Sequence, residues 1–174
     1  MPAYLDFEVS LREVQPKVWR RFLIRSTDTF MDLHEAIQDA CGWLNCHLFA
    51  FRTTRRRTIV GLPNDDGFSD PDPDASSIKL SSFFGPGKSM RCVYEYDFGD
   101  SWEHDVVLKE ATDLKERFQR RLTDGGRAFP PEDCGGLPGY EDCVRVISRA
   151  GPATTSSTAD SWAMRSSEAT ATTS

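Results

Sequence analysis

The side chains best suited to chemistry are the three histidines of the chain, His34, His47 and His104. Two carboxylates, Asp97 and Asp100, precede His104 closely. Imidazole and carboxylate groups together bind zinc, iron or manganese, and they also serve as general acids and bases. The candidate catalytic residues are therefore His34, His47, Asp97, Asp100 and His104. The candidate ligands of a divalent metal are His47, His104 and Asp97.

A structural role is the alternative for each of these residues, and it is the more frequent one. His104 would then cap an aromatic cluster, and Asp100 would bond the backbone of a turn. Spacing along the chain does not decide whether the three histidines meet in space. The decisive observation is whether they converge with Asp97 on one cleft.

Two further carboxylates, Glu132 and Asp133, lie beside a glycine-rich turn. They are able to join a carboxylate cluster. Residues of this type next to a turn more often bond the turn backbone or cap a helix, and that is the role we expect for both.

The densest basic cluster consists of Arg52, Arg55, Arg56 and Arg57. Arginines grouped in this way contact phosphates in nucleic-acid-binding proteins. The more common interpretation is a solvated edge strand whose charges prevent aggregation. Some of these arginines would also neutralise nearby carboxylates.

The strongest hairpin signal pairs residues 89–98 with residues 102–111, because both segments alternate aromatic or apolar with polar residues. A three-residue loop, 99–101, would place Phe98 opposite Trp102 and bring the aromatic faces together.

This register would set Glu95 and Asp97 opposite Asp105 and Glu103. Like charges directly across two strands are destabilising. A cation should offset them, and we expect either nearby arginines or a metal ion.

The remaining periodicity predicts an α+β fold with a mostly antiparallel sheet. Residues 4–11 alternate as a half-buried strand, and residues 18–24 form an antiparallel neighbour. The main amphipathic helix is predicted at about 29–42, with Thr29 as its N-cap. A short C-terminal helix is expected at 140–147.

Length and composition favour a single domain. The chain has 174 residues and a net charge of −6, which disfavours non-specific binding to DNA or membranes. We predict one folded domain over residues 1–150. The Ser-, Thr- and Ala-rich segment 151–174 is predicted to be a disordered tail, and residues 64–74 an exposed acidic loop.

The expected compartment is the cytoplasm, with no membrane association. The N-terminus has no basic start followed by an apolar run, as a signal peptide would. The chain has no apolar stretch long enough to span a bilayer. Its five cysteines are an odd number and include no Cys-x-x-Cys pair, so neither a disulfide framework nor a standard zinc site is implied.

Five phrases together resemble the plasmid pRiA4b ORF-3-like family. They are VWRRF at 18–22, DLHEAIQDACGW at 32–43, HLFAF at 47–51, YEYDFGDSWEH at 94–104 and PPEDCGGLPGY at 130–140. The resemblance implies a compact α+β fold with a mostly antiparallel sheet. It also implies an uncharacterised protein, often carried on plasmids or near mobile elements and in some members labelled resolvase-like.

The sequence departs from the family pattern at two places. Phe129 stands where a cysteine commonly precedes the Pro-Pro-Glu-Asp phrase. After Ser148, the Ser/Thr/Ala tail replaces the acidic helical continuation that is usual in the family. We hypothesise that a frameshift or rearrangement produced this C-terminus.

Three functions are compatible with these observations. The first is an interaction or accessory module of mobile elements, with an unidentified protein partner. The second is a small metal-dependent or hydrolytic enzyme built on the His/Asp cluster. The third is a DNA-recombination accessory protein that binds DNA through its arginine cluster.

Overall fold

The computed structural model describes residues 3–61 and 72–150. The predicted tail, and residues 64–71 of the predicted acidic loop, lie outside the described residues. The elements in chain order are β1 Ala3–Leu11, β2 Trp19–Arg25, α1 Phe30–Cys41, β3 Phe49–Arg52, β4 Thr58–Gly61, α2 Leu80–Phe83, β5 Arg91–Tyr96, β6 Trp102–Asp113, β7 Arg120–Gly126 and α3 Gly136–Ala150.

The strands form one seven-stranded sheet in the order β4-β3-β5-β6-β1-β2-β7. Every neighbouring pair of these strands is antiparallel, which confirms the predicted class. The long strand β1 lies between β6 and β2, and its Leu5, Phe7, Val9 and Leu11 are buried. None of the helices within the described ranges combines the length and hydropathy needed to cross a membrane.

Helix α1 packs its apolar side against the sheet and begins at a capping box. Thr29 accepts a hydrogen bond from the Asp32 amide, and the Asp32 carboxylate accepts one from the Thr29 amide, so two otherwise free amides are satisfied. The helix ends at Gly42, whose φ of 79° is in the left-handed region that glycine tolerates. The cap also fixes where the following loop leaves the helix.

The buried face of α1 is wider than the apolar pattern predicts. The sequence places His34 and Gln38 away from the apolar face, but both side chains are buried. The hydroxyl of Tyr94, on β5, contacts both of them, at 2.8 Å from His34 Nδ1 and 3.0 Å from Gln38 Nε2. A buried phenol needs polar partners, and these two residues supply them.

The β5–β6 hairpin has a register two residues away from the predicted one. Tyr96, rather than Phe98, faces Trp102, and the loop contains residues 97–101. The loop closes early because Asp97 and Ser101 both adopt a left-handed conformation. The aromatic faces still meet, since a shift of two preserves the face of every side chain. Phe98 leaves the core and is 46% exposed.

Candidate metal centre

Three loops meet at the end of the sheet where β3 begins and β5 ends. The first, residues 42–48, joins α1 to β3 and carries Cys46 and His47. The second is the hairpin loop that starts at Asp97. The third precedes α3 and carries Glu132 and Asp133. The Asp97 amide donates a hydrogen bond of 3.0 Å to the carbonyl of Leu48, which joins the first two loops directly.

The centre of this arrangement is the imidazole of His47. Its Nε2 lies 3.0 Å from Asp133 Oδ1, 3.6 Å from Asp97 Oδ2 and 3.9 Å from Glu132 Oε2. This nitrogen is shielded from solvent, and none of these contacts has the geometry of a hydrogen bond. The buried Nε2 of His104 likewise has no hydrogen-bond partner among the described residues, but none of their carboxylates forms an ion pair with it. Three carboxylates around one buried imidazole nitrogen require a compensating charge, and a bound cation would supply it.

The spacing of these groups suits one metal ion. The potential ligand atoms of His47, Asp97 and Asp133 lie within 4.8 Å of one another, and so do those of Cys46, His47 and Glu132. Two ligands that each lie about 2.1 Å from one zinc ion are at most about 4.2 Å apart. The three contacts of His47 are within that limit, so small adjustments of the side chains would close the site.

The surrounding hydrogen bonds orient the carboxylates. Glu132 Oε1 accepts bonds from the Leu44 amide at 2.7 Å and from the Tyr96 hydroxyl at 3.0 Å. Burial raises the pKa of Tyr96, so the phenol keeps the proton that it donates. Asp97 Oδ1 accepts the amide of Gly99 at 3.0 Å, which leaves Oδ2 facing His47. Outer hydrogen bonds of this kind fix the geometry of metal ligands.

Each of the three loops contains a residue in a strained backbone conformation. Asn45, Asp97 and Asp133 have φ values of 55°, 55° and 53°. The left-handed region is uncommon for residues with a side chain, although Asn and Asp tolerate it best. Strain of this kind concentrates at functional sites.

His34 does not join the centre. Gln38 donates to the Tyr94 oxygen, so the Tyr94 hydroxyl proton is directed to His34 Nδ1. His34 Nε2 lies 2.7 Å from Asn45 Oδ1 and donates to it. Both ring nitrogens are therefore occupied, and the imidazole stacks on Phe49 at 3.6 Å. Through its hydrogen bond to Asn45, His34 holds the loop that carries His47 and so helps to position His47.

His104 is also separate from the metal-ligand groups found within residues 3–61 and 72–150. It is fully buried, and its Nδ1 lies 3.3 Å from the carbonyl of Tyr94. Its ring packs between Trp43 and Phe129. Burial lowers the pKa of His104 to about 4, so this imidazole is neutral. The aromatic role considered for it from the sequence matches this position.

Asp100 and the arginines also have other partners. Asp100 Oδ2 accepts the amide of Gly135 at 3.1 Å, which is a turn contact. Arg52 pairs with Glu95 at 2.9 Å, and Arg56 pairs with Glu103 at 3.0 Å. Glu95 and Glu103 face each other across β5 and β6. The two arginines therefore supply the positive charges that offset the repulsion between these carboxylates. Arg55 and Arg57 are exposed.

The sequence identified two residues of this centre and missed three. His47 and Asp97 were candidates, and the structure brings them together. For Glu132 and Asp133 the expected role was turn bonding, whereas their carboxylates face His47. Cys46 is not among the candidates from the sequence, and it is exposed. The available signal was that these residues lie in or beside the phrases HLFAF, YEYDFGDSWEH and PPEDCGGLPGY.

Two known proteins are similar to this chain over most of its length. An uncharacterized protein, y4hQ, of Sinorhizobium fredii is 36% identical over 145 residues, which are 83% of this chain and 73% of the relative. A crystal structure of a protein of unknown function from Methanosarcina mazei Go1 has a TM-score of 0.75 and 31% identity, and the match covers 85% of this chain and 83% of that one. The solved structure supports the fold, and the two relatives are described as uncharacterized and of unknown function.

The model of one protein family matches residues 3–168, and its description is plasmid pRiA4b ORF-3-like protein. The match continues past Ser148, the residue after which the sequence predicts that the family pattern is replaced. The replaced C-terminus stays a hypothesis, since its origin is not tested by this match. The chain belongs to the plasmid pRiA4b ORF-3-like family.

Proposed function

We propose that this domain binds a divalent transition-metal ion, Zn²⁺ or Mn²⁺, through His47, Asp97 and Asp133. Glu132 or Cys46 would complete the ligand set. The observation that carries the proposal is the convergence of three carboxylate oxygens within 3.9 Å of the solvent-shielded Nε2 of His47. A divalent ion would bind all of these groups and neutralise most of their charge.

The donor set indicates which ions fit. One imidazole with several carboxylates suits zinc, manganese or iron, and a thiolate ligand shifts the preference towards zinc. A bound ion of this type polarises carbonyl or phosphoryl oxygens and lowers the pKa of a coordinated water. Of the three functions derived from the sequence, the small metal-dependent or hydrolytic enzyme therefore fits the site best.

The origin of the ligands gives further support. His47, Asp97 and the Glu132–Asp133 pair come from three separate phrases that resemble the family, and the fold brings the three phrases to one point. Residues that only stabilise local turns have no reason to converge in this way. A common site explains why these phrases occur together in one chain.

The test is metal binding by protein from which metal has been removed with a chelator. Titration with Zn²⁺ and Mn²⁺ should show one equivalent bound. Asp97→Asn and Asp133→Asn should each weaken binding by about 100-fold or more, since even outer-shell changes cost about 10- to 100-fold. Glu110→Gln is the matched control, because Glu110 is an exposed carboxylate at the far end of β6. Metal binding that is absent, or equally strong in all variants, would refute the proposal.

The biological setting is also part of the proposal. A role on plasmids or mobile elements is supported by the family name alone. A cytoplasmic location is supported by the five free thiols, since disulfides are rare in reducing compartments. DNA contact through the arginine cluster receives less support, because Arg52 and Arg56 are engaged with carboxylates.

A further inference from the structure

A cleft of about 450 Å³ opens beside the candidate metal centre. Its lining residues are Met31, His34, Asn45, Cys46, His47, Leu48 and Phe49. Two of them, Cys46 and His47, are potential metal ligands. The volume is within the range of about 300–1,000 Å³ that is typical of small-molecule sites. The cleft therefore reaches two of the residues that would hold a bound ion.

The cleft wall carries no acidic or basic side chain apart from its two imidazoles. Burial lowers the pKa of His34 to about 4, so the imidazole at the back of the cleft is neutral. Met31 and Leu48 supply thioether and aliphatic surface, whereas Phe49 is 3% exposed and its ring is stacked on His34. The carboxylates that face His47, those of Asp97, Glu132 and Asp133, do not line the cleft. The site therefore combines carboxylates around His47 with an uncharged lining beside it.

Exposed apolar side chains extend this surface towards solvent. Leu48 is 57% exposed and Leu44 is 74% exposed. Both are tied to the metal centre, because the Leu48 carbonyl accepts the Asp97 amide and the Leu44 amide donates to Glu132. Grouped exposed apolar residues mark binding sites more often than chance placement. The apolar surface and the ligands of the metal are thus fixed relative to each other.

We propose that the site takes a small, uncharged molecule with an aromatic or branched aliphatic body and an oxygen-donor head that reaches the metal. The inference rests on the proposed metal function. The head would occupy an open coordination position beside Cys46 and His47. The body would lie against Met31 and Leu48. A ligand with a charged body would lose its hydration in the cleft without gaining a partner.

The test compares two hydroxamic acids that share one metal-binding head. Benzohydroxamate carries a phenyl body and acetohydroxamate carries a methyl group. Calorimetric titration of the metal-loaded protein should show benzohydroxamate binding about tenfold more tightly, the factor expected when roughly 50–60 Å² of additional apolar surface is buried. Leu48→Ala should reduce this preference to about threefold or less.

Met90→Ala is the matched control, because Met90 is an exposed apolar residue next to the opposite end of β5, and it should keep the full preference. The metal affinity of each variant is measured separately. Protein that binds metal but prefers neither hydroxamate, or a preference unchanged by Leu48→Ala, would overturn this inference and leave the metal proposal standing. Protein that binds no metal would overturn both.

Discussion

Acid should destabilise this domain through two buried imidazoles, His34 and His104. Both side chains are fully buried. Burial lowers the pKa of each from 6.5 to about 4. His34 would lose its bond from the Tyr94 hydroxyl on protonation, since Nδ1 would no longer accept. His104 would carry a charge between Trp43 and Phe129.

The size and sign of the effect follow from these pKa values. Between pH 6.5 and 4 the unfolded chain binds protons that the native state does not, so the free energy of unfolding falls as the pH falls. At about 1.4 kcal/mol per pH unit, each histidine contributes about 3 kcal/mol that is fully present above pH 6.5 and lost by pH 4. Two histidines together approach the whole stability of a typical domain, about 5–15 kcal/mol.

Asp28 has the opposite effect on the free energy of unfolding as the pH falls. Burial raises the pKa of this carboxyl group from 3.8 to about 6. In that interval the native state holds a proton that the unfolded chain releases, so lowering the pH from 6 to 4 restores about 3 kcal/mol. The expected net loss from pH 7 to pH 4 is therefore about 3 kcal/mol, rather than the sum of the two histidine contributions.

The assay is urea unfolding of metal-free protein, followed by tryptophan fluorescence at several pH values between 7 and 4. His104→Leu removes one imidazole while keeping an apolar side chain of similar bulk in the aromatic cluster. It should cancel about 3 kcal/mol of the pH dependence and leave the stability of the variant nearly constant over this range. A pH dependence equal to that of the wild-type protein, with an unchanged m-value, would refute the assignment of a neutral buried His104.

Three further outcomes are expected. Asp28→Asn should raise the free energy of unfolding at pH 7 by up to about 3 kcal/mol, and urea titration at pH 4 should show that the gain has disappeared. Arg52→Gln should cost about 1–2 kcal/mol, because Glu95 would face Glu103 without its cation; double-mutant cycles with Glu95→Gln should recover most of the loss. Asp133→Gly should make the metal-free protein about 1 kcal/mol more stable by relieving a left-handed φ, while metal titration shows that binding is lost.

Local signals made much of the fold predictable. The Thr29–Asp32 capping box and Gly42 are sequence features that act within one turn of helix, and they delimit α1. Strand β1 alternates because one of its faces meets the core. Strand β7, by contrast, is not predicted from the sequence. Arg120–Gly126 is an edge strand with a single large apolar residue, Leu122, and so lacks an alternating pattern. Its conformation is set by pairing with β2, which no local pattern encodes.

The candidate site was only half predictable, for a physical reason. The sequence does not distinguish the roles of His34, His47 and His104. Their roles differ because their burial and their hydrogen-bond partners differ. His34 and His104 became neutral structural groups because the core closed over them, whereas His47 remained in a loop. Its partners Glu132 and Asp133 lie far along the chain, so the contact depends on the whole sheet being in place.

Both acidic residues nearest to His47 lie at left-handed backbone positions. Asn45, Asp97 and Asp133 each hold a left-handed φ, at a cost of about 1–2 kcal/mol per residue compared with glycine. Glycine would avoid this cost, as it does at the next loop residues Gly135 and Gly136, although the same conformation also occurs away from the site at Glu13, Arg56 and Arg127. Asp133 is mostly exposed, and its one ion-pair contact within the described residues is with His47. The Asp133 carboxylate therefore contributes little to the stability of the metal-free fold. A cation bound between Asp133, Asp97 and His47 would offset the free-energy cost of the left-handed conformation at both acidic residues.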